Sequence, residues 1–243
     1  MRYFMQLSYR GAPFHGWQSQ PGEVTVQSVL EDALSMILRR PMKITGAGRT
    51  DAGVNARMMV AHFDVDPPLA DPAGLVRKLN AVVGKDIAVQ KIWEVAPDSH
   101  ARFDAVSRTY HYYAVTEKTP FFYPLSWKAP VALDFDAMNR AAEILLETSD
   151  FTSFSKLHTD VKTNICRVSY ARWERLGDHE WVFVITADRF LRNMVRAVVG
   201  TLVEVGRGKM SIERFREVID RRDRCAAGTS MPGEALFLWE VKY

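Results

Sequence analysis

The chain of 243 residues has only two cysteines, Cys166 and Cys225. They lie far apart and form no C-x-x-C pair, so two reduced thiols are expected rather than a disulfide framework. Six histidines, at 15, 62, 100, 111, 158 and 179, show no metal-ligand spacing, and no structural zinc is expected. No apolar run approaches the roughly 18 to 20 residues that a membrane span needs. The opening Met1-Arg2-Tyr3-Phe4-Met5-Gln6 lacks the charged-then-apolar layout of a signal peptide, so a soluble cytoplasmic protein is expected. No strict repeat and no low-complexity segment is present. Nor is there a large charge of one sign, since the net charge is only +3. Residues 1–104 hold 12 basic and 11 acidic groups and residues 105–243 hold 20 and 18, so neither half is a basic tail.

What is present is ordinary globular material: 47% hydrophobic and 25% charged residues, which argues against extensive disorder. The length suits one large domain or two small ones that share a core. The mild positive balance fits nucleic-acid binding only if the basic groups gather on one face. Local clusters occur at Arg39-Arg40, at Arg189, Arg192 and Arg196, and at Arg221-Arg222-Asp223-Arg224. Each reads equally well as a solvated helix face.

Hydrophobic spacing divides the chain into strands and helices. Residues 2–9 alternate as a strand, and Gly11, Pro13, Gly16, Pro21 and Gly22 punctuate a loop. Thr25 stands at an N-cap position, followed by Val26, Val29, Leu30, Ala33, Leu34, Ile37 and Leu38 at helical spacing, and Pro41 ends that helix. Residues 58–65 read as a strand. Asp71-Pro72 is a cap with an N1 proline, opening a helix to about Val83. Residues 86–95 and 107–116 read as strands. Asp134 caps a helix with Met138, Ala141, Ala142, Leu145 and Leu146 inward. Strand patterns at 163–174 and 180–188 flank Gly177-Asp178 and predict a hairpin. Helices are predicted at 191–205 and 211–221, and a strand at 236–243. This order indicates an α+β fold, with a division near residue 105 into an N-terminal half, 1–104, and a C-terminal half, 105–243.

The informative stretch is Gly46-Ala47-Gly48-Arg49-Thr50-Asp51-Ala52-Gly53-Val54-Asn55-Ala56. Three glycines within eight residues allow sharp turns and close approach of a ligand. A glycine-rich loop suggests phosphate binding, yet this one lacks the G-K-[ST] ending of a P-loop and the spacing of a dinucleotide fingerprint. Asp51 would also repel a phosphate held there. A simple turn remains an alternative reading of these residues.

The run Gly48-Arg49-Thr50-Asp51-Ala52-Gly53-Val54 resembles the active-site signature of the tRNA pseudouridine synthase A family. The similarity extends along essentially the whole chain. It includes Phe14-His15-Gly16-Trp17-Gln18, Thr25-Val26-Gln27, Ala61-His62-Phe63-Asp64, His100-Ala101-Arg102-Phe103 and Arg108-Thr109-Tyr110-His111-Tyr112. It continues through Asp150-Phe151-Thr152-Ser153-Phe154, Phe190-Leu191, Met194-Val195-Arg196, Val199-Gly200-Thr201-Leu202 and Ala227-Gly228-Thr229. Some positions depart from the family pattern. Asn55 stands where many members have histidine. Gly11-Ala12-Pro13, Arg192-Asn193, Ser155-Lys156 and Ser230-Met231-Pro232 also differ. These departures bear on RNA contact more than on the reaction.

The resemblance implies two similar halves whose strands join in one central, mainly antiparallel sheet flanked by helices, with the active-site cleft between the halves. It implies a homodimer that isomerises uridine to pseudouridine in the anticodon stem-loop of tRNAs, at positions 38, 39 and 40. Asp51 is then the catalytic carboxylate. Arg196 is its implied charge partner, Arg49 an active-site support that contacts RNA or fills the space of the flipped base, and Tyr110 the aromatic that binds the uracil. The reaction is redox-neutral and adds no water, so it demands neither metal nor nucleotide cofactor. Glycosidases need a second carboxylate for water or a poor leaving group. Here one suffices, because the base itself returns as the nucleophile. The sequence leaves open attack at C1′ and proton abstraction at C2′. Two rival readings are a non-catalytic tRNA-binding protein of the same fold and a small-molecule nucleotide enzyme.

Overall fold

The computed structural model describes residues 1–130, 132–156 and 163–243; His158 lies outside them. Its elements in chain order are β1 (Arg2–Tyr9), α1 (Val26–Leu38), β2 (Thr45–Gly46), β3 (Asn55–Asp64), α2 (Pro72–Val82), β4 (Ile87–Val95), β5 (Ser107–Val115) and β6 (Trp127–Lys128). There follow α3 (Phe135–Glu147), β7 (Val168–Arg175), β8 (Glu180–Ala187), α4 (Met194–Gly206), α5 (Ile212–Asp220) and β9 (Leu236–Lys242). The fold class is α+β, with a large, mainly antiparallel sheet flanked by helices. The chain forms two compact units, one of Met1–Val106 with Leu238–Tyr243 and one of Ser107–Phe237. The last six residues thus cluster with the first unit.

In the first unit the strands run in the order β4-β1-β3-β9, with β2 paired to β3. β1 is antiparallel to β3 and β4, with Met5 opposite Ala61 and Leu7 opposite Met59. All four of these side chains are fully buried. The helices begin where short polar side chains can take orphan amides. Thr25 accepts from the Ser28 amide in a reciprocal capping box, and Asp71 accepts from Gly74 at 2.8 Å ahead of Pro72. α1 stops at Leu38, before Pro41, because Arg39 turns left-handed at φ 55°. β3 starts at Asn55, three residues earlier than the alternation indicates, since Ala56 already pairs with Tyr9.

Phe4 gathers Trp93, Tyr243 and His62 on one face of this unit, with ring centroids 5.8, 5.3 and 6.4 Å away. His62 is only 7% exposed, and its Nδ1 accepts from the Ala101 amide at 3.2 Å. Burial, and then the charge of Arg2 and the nearby His100, lower its pKa to about 4. An unfolded chain takes up this proton near pH 6.5 and the native one does not until about 4. The stability associated with neutral His62 is therefore intact above pH 6.5 and declines as pH falls toward 4. His62→Asn keeps a δ-position acceptor and removes the titration. Thermal melts between pH 7 and 4.5 should show the wild type losing on the order of 2 kcal/mol more than the variant. Parallel curves would contradict this assignment.

In the second unit the order is β5-β8-β7, with β6 parallel on β5. β7 and β8 form the hairpin expected around Gly177-Asp178. β7 begins at Val168 rather than at 163; ahead of it Ile165 forms an isolated bridge with Asp150. The core contains Tyr112, Phe151, Phe154, Trp173, Phe183 and Phe215, each less than 2% exposed. α4 is buried almost all round, as its run of valine, leucine and small residues requires. It begins at Met194 rather than at 191, because Asn193 sits at φ 66°, outside helical space. Cys166 is buried and Cys225 exposed, and both are free. Among the described residues no helix is long and apolar enough to cross a membrane.

Candidate active site

The loop that carries Arg49 and Asp51 belongs to the first unit. It leaves β2 at Gly46 and returns into β3 at Asn55. The Val54 amide donates to the Asp51 carbonyl at 3.2 Å, closing a turn over Ala52 and Gly53. Gly53 has φ 79°, the left-handed value that glycine adopts without a Cβ penalty. Side chains along the loop alternate in environment. Arg49 is exposed, Thr50 is buried, Asp51 is half-buried, and Val54 and Asn55 are buried. Arg49 is thus presented to solvent while Asp51 lies at the boundary, partly shielded from water.

The end of β1 and the segment between it and α1 grip this turn. The Tyr9 hydroxyl pairs with Thr50 Oγ1 at 2.8 Å, both buried. The Trp17 amide donates to the Thr50 carbonyl at 3.1 Å. A Cβ on Gly16 would lie 2.6 Å from that same carbonyl oxygen. A Cβ on Gly11 would lie 2.2 Å from the Val54 carbonyl oxygen and 2.5 Å from the Gly53 carbonyl carbon. The indole of Trp17 fills the space where a side chain on Gly46 would go, with Cε2 2.5 Å from the Cβ position. These glycines allow backbone to lie against backbone on either side of Asp51, so the turn is held by contact as well as by hydrogen bonds. In the sequence, Gly11 and Gly16 read only as punctuation of a loop. Their grip on residues 50–54 depends on a tertiary approach that no local spacing encodes.

Tyr110 and Arg196 belong to the second unit. Tyr110 lies on β5, opposite Ile185 of β8, and meets Phe190 edge-on at 5.0 Å. Tyr112, two residues on, shares its side of the strand and is fully buried, with no hydrogen-bond partner for its hydroxyl among the described residues. Burial pushes that phenol well above the usual tyrosine range, and the nearby Arg196 guanidinium opposes the rise. Arg196 sits in the first turn of α4 and is tied to Met231 twice. Its Nε donates to the Met231 carbonyl at 2.5 Å, and the Met231 amide donates to the Arg196 carbonyl at 3.1 Å. The structure therefore groups Arg49 with Asp51, and places Tyr110 and Arg196 around Tyr112. Among the described residues, no group of three or more His, Cys, Asp or Glu side chains is arranged to hold a metal ion.

A family model described as tRNA pseudouridine synthase matches residues 7–104 and 141–243. The chain belongs to the tRNA pseudouridine synthase family. A protein from Parabacteroides distasonis named tRNA pseudouridine synthase A is 59% identical over 242 residues, covering 100% of this chain and 96% of its own length. Its counterpart of the same name from Bacteroides fragilis is 54% identical with the same coverage. One from a Geobacillus species is 38% identical over 240 residues, covering 98% of this chain and 96% of its own length. Both units of the synthase are thus spanned by relatives that bear one name. The matched regions contain the Asp51 turn, its gripping segment, Tyr110 in the full-length relatives, and α4 with Arg196.

Proposed function

We propose that this synthase isomerises uridine to pseudouridine in tRNA through the carboxylate of Asp51, at positions 38, 39 and 40 of the anticodon stem-loop. The observation that carries the role of Asp51 is its place. It is a half-buried carboxylate on a turn walled on both sides by the backbone of Gly11 and Gly16. As the bond between N1 and C1′ breaks, positive charge develops on the ribose. A fixed, partly desolvated carboxylate stabilises that charge without reorganising first. It can attack C1′ or remove the C2′ proton. In either course the detached uracil turns and bonds to C1′ through C5, as the carboxylate is displaced from C1′ or returns the proton to C2′; the C5 proton leaves and N1 takes one up. No oxidant or water is consumed.

The other residues serve the same uridine in this reading. Tyr110 supplies an aromatic face for a base that has left its stack, a step costing a few kcal/mol. Arg196 balances the charge of Asp51, and Arg49 contacts the RNA backbone or occupies the vacated base position. The working form is a homodimer in the cytoplasm. The test is pseudouridine mapping of total tRNA from cells with the wild-type chain, with Asp51→Asn, and without the chain. Loss of the modification at 38 to 40 in the latter two alone is the expected result. Pseudouridine retained at those positions without the chain, with loss elsewhere, would refute the site assignment.

A further inference from the structure

We infer that Asn55 is a positioning residue for the catalytic turn, acting through the backbone amide of Gly11. The inference rests on the reading of Asp51 as the reacting carboxylate. Asn55 is 1% exposed, so it is out of reach of RNA. Its Oδ1 accepts from the Gly11 amide at 2.9 Å in buried surroundings. Gly11 is the residue whose Cα lies against the second half of the Asp51 turn, at Gly53 and Val54. The carboxamide therefore fixes one wall of the turn. The opposite wall, formed by Gly16 and Trp17, is tied to Thr50 by separate contacts. Removing the Asn55 acceptor leaves a buried amide unpaired on one side only. The turn then tilts while its other anchor holds. Displacement of a reacting group by about 1 Å can cost on the order of a hundredfold in rate.

What this geometry asks for is an acceptor atom two bonds beyond Cβ. Alanine offers none. Histidine in its Nε2–H form places Nδ1 there, but once protonated it places a donor against the Gly11 amide. Burial disfavours that protonation, as it does at His62, so a histidine here stays neutral well below pH 6.5. Histidine at position 55 therefore keeps the acceptor at pH 8, where alanine removes it.

The experiment measures single-turnover rates on tRNA, tRNA affinity and melting temperature for wild type, Asn55→Ala, Asn55→His and Asp51→Ala. Asn55→Ala should lose about a hundredfold in rate with affinity changed less than about threefold. Asn55→His should recover most of that loss at pH 8. A wild-type rate in Asn55→Ala, or equal losses of rate and affinity, overturns the inference. If Asn55→Ala melts below the assay temperature, Asn55→His decides alone. A single-turnover rate for Asn55→His at pH 8 that is about a hundredfold below wild type, with affinity unchanged, then overturns it. Activity retained by Asp51→Ala refutes instead the role of the carboxylate itself.

Discussion

Replacing Asp51 by alanine should remove about four decades of turnover and leave tRNA affinity within a factor of a few. The expected loss corresponds to about 5 kcal/mol of charge stabilisation at the transition state. Two features of the site place the effect on the rate. The turn is held by backbone contacts at Gly11 and Gly16, which do not involve the Asp51 side chain beyond Cβ, so its removal leaves the turn in place. Affinity for tRNA comes mainly from phosphate contacts, which a carboxylate opposes rather than makes. Affinity should stay constant or tighten slightly, with an unchanged salt slope. Asp51→Asn should match the alanine variant, since it keeps the shape but loses the charge. Single-turnover rates and binding isotherms at two salt concentrations check both parts. A variant that keeps a tenth of the wild-type rate would remove Asp51 from the chemistry.

Local chemistry made much of this molecule legible in its sequence. Thr25, Asp71, Asp134 and Ser211 cap their helices through short side chains that reach amides three residues ahead, so their role is written within one turn of chain. The hairpin around Gly177-Asp178 and the alternation of β1 are likewise local. Errors arose where a single residue adopts an uncommon backbone state. Asn193 at φ 66° delays α4 to Met194, although Leu191 fits the apolar spacing. The candidate site divides along the same line. Asp51 and Arg49 stand out through their glycine-flanked spacing. Tyr9, Gly11, Gly16 and Asn55 do not, because their effect on the turn comes from partners some forty residues away, brought near by pairing of β1 with β3.

Gly200→Ala should be the most damaging conservative change in the second unit. Helix propensity alone favours alanine over glycine by about 1 kcal/mol. Packing opposes it. A Cβ at position 200 would lie 1.8 Å from the Thr229 carbonyl oxygen, a backbone atom that cannot rotate away. The segment from Gly228 to Met231 is laid directly on α4 there. The Gly228 amide donates to Thr201 Oγ1 at 2.9 Å, and Asn193 Nδ2 donates to Ser230 Oγ at 2.6 Å. Making room for one methyl group requires the whole segment to lift. Overpacking costs typically 1–3 kcal/mol, occasionally more; with backbone as the obstacle, a net loss of about 3 kcal/mol is expected. For a chain of this size that lowers the melting temperature by about 6–12 °C. Gly48→Ala is the matched control, since its Cβ would meet nothing within 4 Å, and its melting temperature should stay close to wild type. The lifted segment also carries Met231, to which Arg196 is tied through both side chain and backbone. Below its melting transition, Gly200→Ala should therefore turn over more slowly than its folded fraction explains. A melting temperature within 2 °C of wild type would show that residues 228–231 yield without cost, and that their contact with α4 fixes neither the fold nor Arg196.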